Sequence, residues 1–212
     1  MKKQFFTLAL VCASILSINA QNLDYRSTIS GAVGVNGISL LSGIVNSASE
    51  ETGIKINATP SFQLSYDYAL SKWFSLGGAA SFNSIKSSAT NFSFLDEAGK
   101  TRTGDYDFKG NRVTVAARAL FHYGNEGKLD MYSGVRVGFK TWTGTLTTTG
   151  NLTDNFTADD IFPQKTGLNA QIIPFGLRYY VSDNFGLGFE TALGAPYFAA
   201  LQLNYRMGSG KN

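Results

Sequence analysis

The residues most able to do chemistry are charged side chains that alternate with apolar ones along extended segments. Five of them fall on the polar face of these segments and are predicted to form one network: Asp67, Arg118, Arg136, Arg178 and Glu190. The same face also carries Arg112, Asp130, Lys140 and Arg206. Charges enclosed in a protein interior have to be paired. The pattern therefore predicts a ladder of salt bridges, with Arg178 and Glu190 as its leading pair.

The only histidine, His122, lies beside a short turn at residues 125–128. A catalytic histidine needs a nucleophile and, usually, a carboxylate that orients it. No carboxylate stands next to His122 in the sequence, so we predict a structural role for it. Since there is no second histidine, histidine-dependent catalysis in the loops is excluded. We therefore predict no catalytic residue.

Three acidic residues, Asp154, Asp159 and Asp160, could in principle bind a divalent cation. They lack the fixed ligand spacing of a recognised cation site, which favours a solvated acidic loop. We predict neither a metal site nor a cofactor.

The N-terminal residues have the layout of a secretory signal peptide. Lys2 and Lys3 precede an apolar run at residues 5–18, and Ala20 stands before a plausible cleavage site ahead of Gln21. We predict a signal peptide at residues 1–20 and one domain at residues 21–212. Cleavage would remove the only cysteine, Cys12, which leaves no disulfide and no cysteine-based site.

Composition narrows the class of protein further. Without the two leader lysines the formal net charge falls from +3 to +1, which argues against binding nucleic acid through net charge. Charged residues make up 16% of the chain, and there are 23 glycines. After the leader, no apolar run reaches the length of about 20 residues that a spanning helix needs. Together these features favour a membrane β-barrel.

A period of two in hydrophobicity predicts eight strands. They lie at residues 28–35, 61–70, 74–82, 112–123, 129–140, 172–181, 185–193 and 197–207. The connections are short at one end and mostly long and polar at the other, which is typical of outer-membrane barrels. The fold class is therefore predicted to be all-β: an eight-stranded antiparallel up-and-down transmembrane β-barrel. Pro174 cannot donate to a strand ladder, so we expect a β-bulge there.

The long polar stretches at residues 36–56, 85–111 and 143–166 are predicted to be extracellular loops. The second stretch has an alternative interpretation, since some of its aromatic residues partly alternate. These residues would fit a barrel extension above the membrane: Phe92, Phe94, Tyr106 and Phe108.

Alternation alone does not say which face of the barrel points outward. The polar face is small and poor in charge, which suits a narrow lumen better than a surface in water. Aromatic residues gather at the short-turn end, where a membrane-interface girdle would lie. Its members are Tyr68, Phe74, Phe121, Tyr123, Tyr179, Phe185 and Tyr205. We therefore expect the apolar face, including Leu187, Leu201 and Leu203, to contact lipid.

Three segments also resemble a known group of proteins. They read LSKWFSLG at 70–77, SDNFGLGFE at 182–190 and LQLNYRM at 201–207. They are similar to outer-membrane β-barrel domains of Bacteroidota, described as porin-family or PorT-like and related in style to the OmpA, OmpX and OmpW barrels. The resemblance implies an outer-membrane location and a barrel fold. It implies no particular ligand.

The leading functional hypothesis is a non-enzymatic outer-membrane protein with a structural or surface-contact role. Its expected partners are outer-membrane lipid and, during biogenesis, the barrel-assembly machinery. The loop ligand is not predicted. The first alternative is a narrow pore, suggested by the inward arginines. The second is a lipid-modifying enzyme, which the position of His122 at the short-turn end disfavours.

Overall fold

The computed structural model describes residues 27–47, 53–95, 99–123, 127–150 and 166–208. The predicted signal peptide and the three loop aspartates lie outside these residues. The elements are β1 (Ser27–Val35), α1 (Gly37–Ser47), β2 (Ile54–Ala58), β3 (Ser61–Ser71), β4 (Phe74–Leu95), β5 (Thr101–His122), β6 (Leu129–Thr148), β7 (Thr166–Tyr180), β8 (Phe185–Gly194) and β9 (Ala199–Met207).

Eight of the nine described strands close into a barrel. Their order around the wall is β1, β3, β4, β5, β6, β7, β8 and β9, and every neighbouring pair is antiparallel. The wall closes where β9 pairs with β1, from Ser27 opposite Met207 to Val35 opposite Ala199. The short strand β2 stands outside this ring and pairs with the distal part of β4. The predicted eight-stranded antiparallel barrel is confirmed.

The two faces of the wall differ as the alternation predicts. Apolar side chains are exposed on the outside, as at Leu201 (70%) and Leu203 (69%), whereas the intervening Gln202 is 3% exposed. The outward band is acceptable in hydrocarbon because the closed ladder pairs the strand backbones with one another. The structure is thus a transmembrane β-barrel with its polar face inside.

The apolar face changes side at a definite level of the wall. On β5, Val113 and Val115 face outward and are exposed, whereas Phe108, nearer the long-loop end, faces inward and is 1% exposed. On β6, Phe139 is exposed outside and Trp142 is buried inside. An inward apolar face and an outward polar face are expected of a sheet standing in water. This reversal marks the edge of the membrane.

Beyond that edge, β4, β5 and β6 continue as an extension with β2 at its side. β4 and β5 each have 22 residues, about twice the 9–11 that a membrane crossing needs. Their pairing runs to Leu95 opposite Thr101. The prediction of a loop over residues 85–111 is therefore wrong, and the alternative, a barrel extension, is confirmed. The third predicted loop, 143–166, is wrong over residues 143–148, which belong to β6 and pair with β5. The loop prediction did not recognise the extension because its outward positions are polar, and its apolar residues lie at the inward positions.

Two further features bear on the sequence-based expectations. The bulge at Pro174 is confirmed, because the register shifts between Ile172 and Phe175 in the β7–β8 pairing. The helix α1 was not expected in the first polar stretch. Within the described ranges, no helical segment has the length and hydrophobicity of a membrane span.

The aromatic girdle at the short-turn end is also present. Phe121 packs against Phe74, with ring centroids 5.0 Å apart, and against Trp73, at 6.1 Å. Phe185 and Tyr205 form a second pair at 4.8 Å. Trp73 was not among the predicted members, since it lies in the turn rather than on a strand. Amphipathic rings at this level are typical of a membrane–water interface.

Candidate functional site in the barrel lumen

The lumen is organised around Glu190 on β8, which is fully buried. Its Oε2 accepts hydrogen bonds from Arg118 Nη2 (2.9 Å), Tyr132 Oη (2.9 Å) and Gln202 Nε2 (3.2 Å). Its Oε1 accepts hydrogen bonds from Tyr197 Oη (2.8 Å) and Arg136 Nη2. Five donors from β5, β6, β9 and the connection between β8 and β9 thus converge on one carboxylate. A buried charge is tolerated when it is paired and its lone pairs are satisfied in this way.

A second group of charges lies nearer the short-turn end. Asp67 on β3 contacts Arg118 Nε at 3.1 Å and accepts from Arg178 Nη2 at 2.6 Å. Arg178 also donates to Asp130 Oδ2 on β6, at 3.3 Å. Arg118 contacts both Asp67 and Glu190, so it joins the two groups into one network. Three arginines therefore face three carboxylates across the lumen.

All five predicted site residues lie in this network, but the predicted pair is wrong. Arg178 contacts Asp67 and Asp130, and Glu190 contacts Arg118 and Arg136. The register explains the difference. Asp130 lies directly opposite Arg178 on the neighbouring strand, whereas Glu190 lies opposite Gly176, two positions along. A directly opposed side chain is closer than a diagonal one.

Tyr132 on β6 packs among these charges and is fully buried. The guanidinium carbons of Arg178 and Arg118 lie 4.5 Å and 5.5 Å from its ring centroid, within the range of cation–π contacts. The ring has room because β7 carries Gly176 opposite it. A Cβ at Gly176 would lie 2.2 Å from two atoms of the ring. The glycine thus sets the position of the tyrosine that donates to Glu190.

We expect Gly176→Ala to destabilise the barrel by about 1–3 kcal/mol, since the ring must leave its place among the arginines. Gly31→Ala is the matched control, because a Cβ there meets nothing within 4 Å on the outer face. Urea unfolding of both variants in lipid vesicles measures the effect. Equal unfolding midpoints for the two variants would show that the Tyr132 packing does not matter.

The long-loop end of the lumen is closed by the connection between β8 and β9. Tyr197 turns inward from it, is 1% exposed and contacts Gln63 at 3.2 Å, with Arg136 donating to its hydroxyl oxygen at 2.9 Å. Gly34 leaves space for the ring, since a Cβ there would lie 2.6 Å from Tyr197 Cγ. This inward tyrosine acts as a plug.

Four polar side chains from the wall donate hydrogen bonds to backbone carbonyl groups of the connection that carries Tyr197. Ser61 Oγ and Arg112 Nη2 donate to the carbonyl of Pro196, at 2.8 Å and 3.0 Å. Asn169 donates to the carbonyl of Ala195 at 3.0 Å, and Gln171 to that of Tyr197 at 2.8 Å. Arg112 also lies over the Trp142 ring, 5.4 Å from its centroid. A connection that reads as a simple turn in the sequence is thus fastened to β3, β5 and β7.

His122 occupies the opposite end of the network. The Nδ1–H group donates to Asp130 Oδ1 at 2.6 Å, and Nε2 forms a hydrogen bond with Ser75 Oγ at 2.9 Å. The order serine, histidine, carboxylate is that of a hydrolase triad. However, Ser75 is 2% exposed, and the second oxygen of Asp130 is held by Arg178. The arrangement ties β4, β5, β6 and β7 together rather than presenting a nucleophile.

Sequence reasoning placed Asp130 on the lumen face but not among the five network residues, and it did not include Tyr132 and Tyr197 in the site. The signal for Tyr132 and Asp130 was their place on the polar face of β6. The period of two placed Tyr197 on the apolar face at the start of the last predicted strand, and this is wrong. Tyr197 lies before β9 and turns inward, while Phe198 is exposed. Among the described residues, no cluster of histidine and acidic side chains is arranged to hold a metal ion.

The site and the wall together define a transmembrane β-barrel with a connected network of buried charged and polar side chains in its lumen. No family model and no curated protein matches this chain. Solved structures similar to it include a de novo designed transmembrane β-barrel, at 15% identity over 88% of this chain and 98% of that one, with a TM-score of 0.45. Ail of Yersinia pestis is 12% identical over 87% and 100% (TM-score 0.44). The N-terminal barrel of Pseudomonas aeruginosa OprF is 14% identical over 86% and 98% (TM-score 0.41).

Proposed function

We propose that this chain is a non-enzymatic outer-membrane protein: a closed barrel that anchors an extracellular sheet for a structural or surface-contact role. The observation that carries the proposal is the continuous lumen network. It runs from Tyr197 through Arg136, Glu190 and Arg118 to Asp67, and on to His122. A barrel of eight strands has an interior just large enough for side chains. Here the side chains of the network occupy this interior and form hydrogen bonds and ion pairs with one another.

The outer membrane is supported by three features. The wall has an outward apolar band with an aromatic girdle, as in barrels of that membrane. The long connections and the extension leave one end, and short turns join the strands at the other. The leader at residues 1–20 has the layout of a secretory signal. Export followed by barrel assembly is the consistent route, with the barrel-assembly machinery and outer-membrane lipid as partners.

Within that class, we assign the chain to the porin-family or PorT-like barrels of Bacteroidota. The support is the resemblance of the segments at 70–77, 182–190 and 201–207. A narrow anion pore is less well supported, because the arginines that suggested it are engaged with carboxylates in the lumen. A lipid-modifying enzyme is less well supported because Ser75 is buried beside His122.

Labelling of intact cells tests the orientation. In a Cys12→Ser background, Lys109→Cys places a thiol on the exposed outer face of the extension, and Lys72→Cys places one in the turn between β3 and β4. A membrane-impermeant maleimide should label the cysteine at 109 on intact cells. It should label the cysteine at 72 only after permeabilisation. The reverse pattern would invert the protein in the membrane and contradict the proposed surface role.

A further inference from the structure

Helix α1 carries its apolar side chains on the face that the protein leaves uncovered. Leu40, Leu41 and Ile44 are 54%, 56% and 67% exposed. At 100° per residue they fall on one side of the helix, together with the half-buried Ile38 and Val45. In a globular protein this face would pack on the core. Here it points away from the chain.

The polar side of α1 is the side that is fastened to the protein. Asn46 receives a hydrogen bond from the Ile56 amide at 2.9 Å and donates to its carbonyl at 2.6 Å, so it pairs with the edge of β2. At the start of the helix, Asn36 and Ser39 form a reciprocal cap, in which the Ser39 amide donates to Asn36 Oδ1 and the Asn36 amide donates to Ser39 Oγ. The attachment fixes which face is turned outward.

The two ends of α1 lie at one level, just beyond the edge of the membrane. Its first residue follows β1, whose outward Val35 is exposed, and the position of a Gly37 Cβ lies 3.2 Å from the exposed ring of Phe198. Its last turn meets β2 at Ile56, which lies opposite Ser87. The apolar side of the helix therefore starts next to the exposed Val35 and Phe198 of the outward apolar surface.

Charge at the same level fits a lipid surface. Lys86 and Lys109 are exposed, directly opposite each other on β4 and β5, and Lys55 lies on the adjacent β2. Like charges directly opposite each other destabilise a sheet unless anions neutralise them. Lys109 stands four residues beyond the lipid-facing Val113, roughly 13 Å along the strand at 3.3 Å per residue. Long lysine side chains at such a level reach the headgroups.

We propose that α1 is a membrane-interface helix, with Leu40, Leu41 and Ile44 inserted into the lipid leaflet at the long-loop end of the barrel. An amphipathic helix with a bare apolar face lies at the boundary of headgroups and acyl chains. The helix contains no charged residue, so no charge opposes its insertion. This role goes beyond anchoring a surface sheet, because the inserted helix holds the long-loop end of the barrel at a fixed depth in the membrane. It depends on the transmembrane barrel and not on which membrane holds it.

Spin-label accessibility in lipid vesicles tests the proposal on the full chain. In a Cys12→Ser background, single cysteines at Leu41 and Ile44 carry a nitroxide on the apolar face. Gly43 is the matched control on the polar side, where a Cβ meets nothing within 4 Å. Val115 gives the lipid reference and Thr145 the water reference. Heat-modifiable migration in gels verifies that each labelled protein is folded.

Collisions with oxygen should dominate over those with a water-soluble nickel chelate at positions 41 and 44. The ratio of the oxygen to the nickel-chelate collision rate at these two positions should approach the ratio measured at Val115. It should exceed the ratio at Gly43 several-fold. A ratio equal to that at Thr145 would place the face in water and overturn the proposal. Low collision rates with both reagents, with spin–spin broadening between copies, would make the face a protein contact and overturn it equally.

Discussion

Glu190→Gln should lower the stability of the barrel by about 3–5 kcal/mol, the cost of breaking a buried ion pair by removing one partner. Glu190 is the acceptor for Arg118 and Arg136, and both arginines are fully buried. Arg118 keeps Asp67 after the change. Arg136 keeps only neutral partners, Gln171 and Tyr197. The loss is measured as a lower urea midpoint for unfolding in lipid vesicles.

Two further variants show whether this loss comes from the network. Glu190→Gln combined with Arg136→Met removes the unpaired cation, so it should recover part of the lost stability. Asp107→Asn, on the exposed outer face of the extension, should leave the midpoint near wild type, since surface charges contribute about 0–1 kcal/mol. If Glu190→Gln behaves like Asp107→Asn, the charges in the lumen are not mutually dependent.

Val137→Arg should impair membrane assembly, whereas Thr145→Arg should not. Both residues are exposed on the outward face of β6 and lie eight positions apart. Val137 belongs to the apolar band, where an arginine at mid-depth costs about 2–4 kcal/mol. Thr145 lies in the extension, beyond the level where the apolar face changes side. The yield of heat-modifiable folded protein and its urea midpoint in vesicles measure the difference.

This pair locates the edge of the membrane on a single strand. If Thr145→Arg is as harmful as Val137→Arg, the bilayer reaches further up β6 than the reversal of faces indicates. If both are tolerated, the outward face is not the lipid face. An intermediate variant, Thr141→Arg, should show a smaller loss than Val137→Arg because it lies close to the reversal.

The wall of the barrel could be predicted from the sequence because its signal is local. Each strand alternates between a lipid face and a lumen face, so a residue such as Leu203 or Gln202 is placed by its parity alone. The same parity put Asp67, Arg118 and Glu190 in the lumen. The β-bulge at Pro174 could be predicted because proline has no backbone N–H to donate to the strand ladder.

The contacts inside the lumen could not be predicted, because they depend on how strands far apart in the sequence face each other. Arg178 reaches Asp67 across 111 residues of chain. Parity says that both point inward but not that they meet. The inward turn of Tyr197 was missed because the period of two continues to this residue, whereas the strand itself begins at Ala199. The contact between Asp130 and His122 was missed because it comes from pairing between β5 and β6. The helix α1 was missed because its segment was assigned to the first polar stretch, and its apolar face does not pack on a core.

The extension shows a different limit of sequence pattern. In β4 and β5 the period of two continues past the membrane while the apolar side changes. A search for outward apolar residues ends at Phe82 and begins again at Val113, which makes the segment between them look like a loop. Only the strand pairing, with Phe108 opposite Ser87, shows that the sheet continues.

Ion conductance across a planar lipid bilayer tests the closed lumen most directly. The refolded barrel, with insertion verified by recovery of its heat-modifiable form from the lipid, should give no unitary current steps above the bare-bilayer baseline in potassium chloride at either polarity. The expectation follows from Tyr197 and the Arg118–Glu190–Arg136 contacts, which bridge the lumen between its walls. Reproducible unitary steps from the wild-type barrel would contradict the plugged lumen and establish a pore.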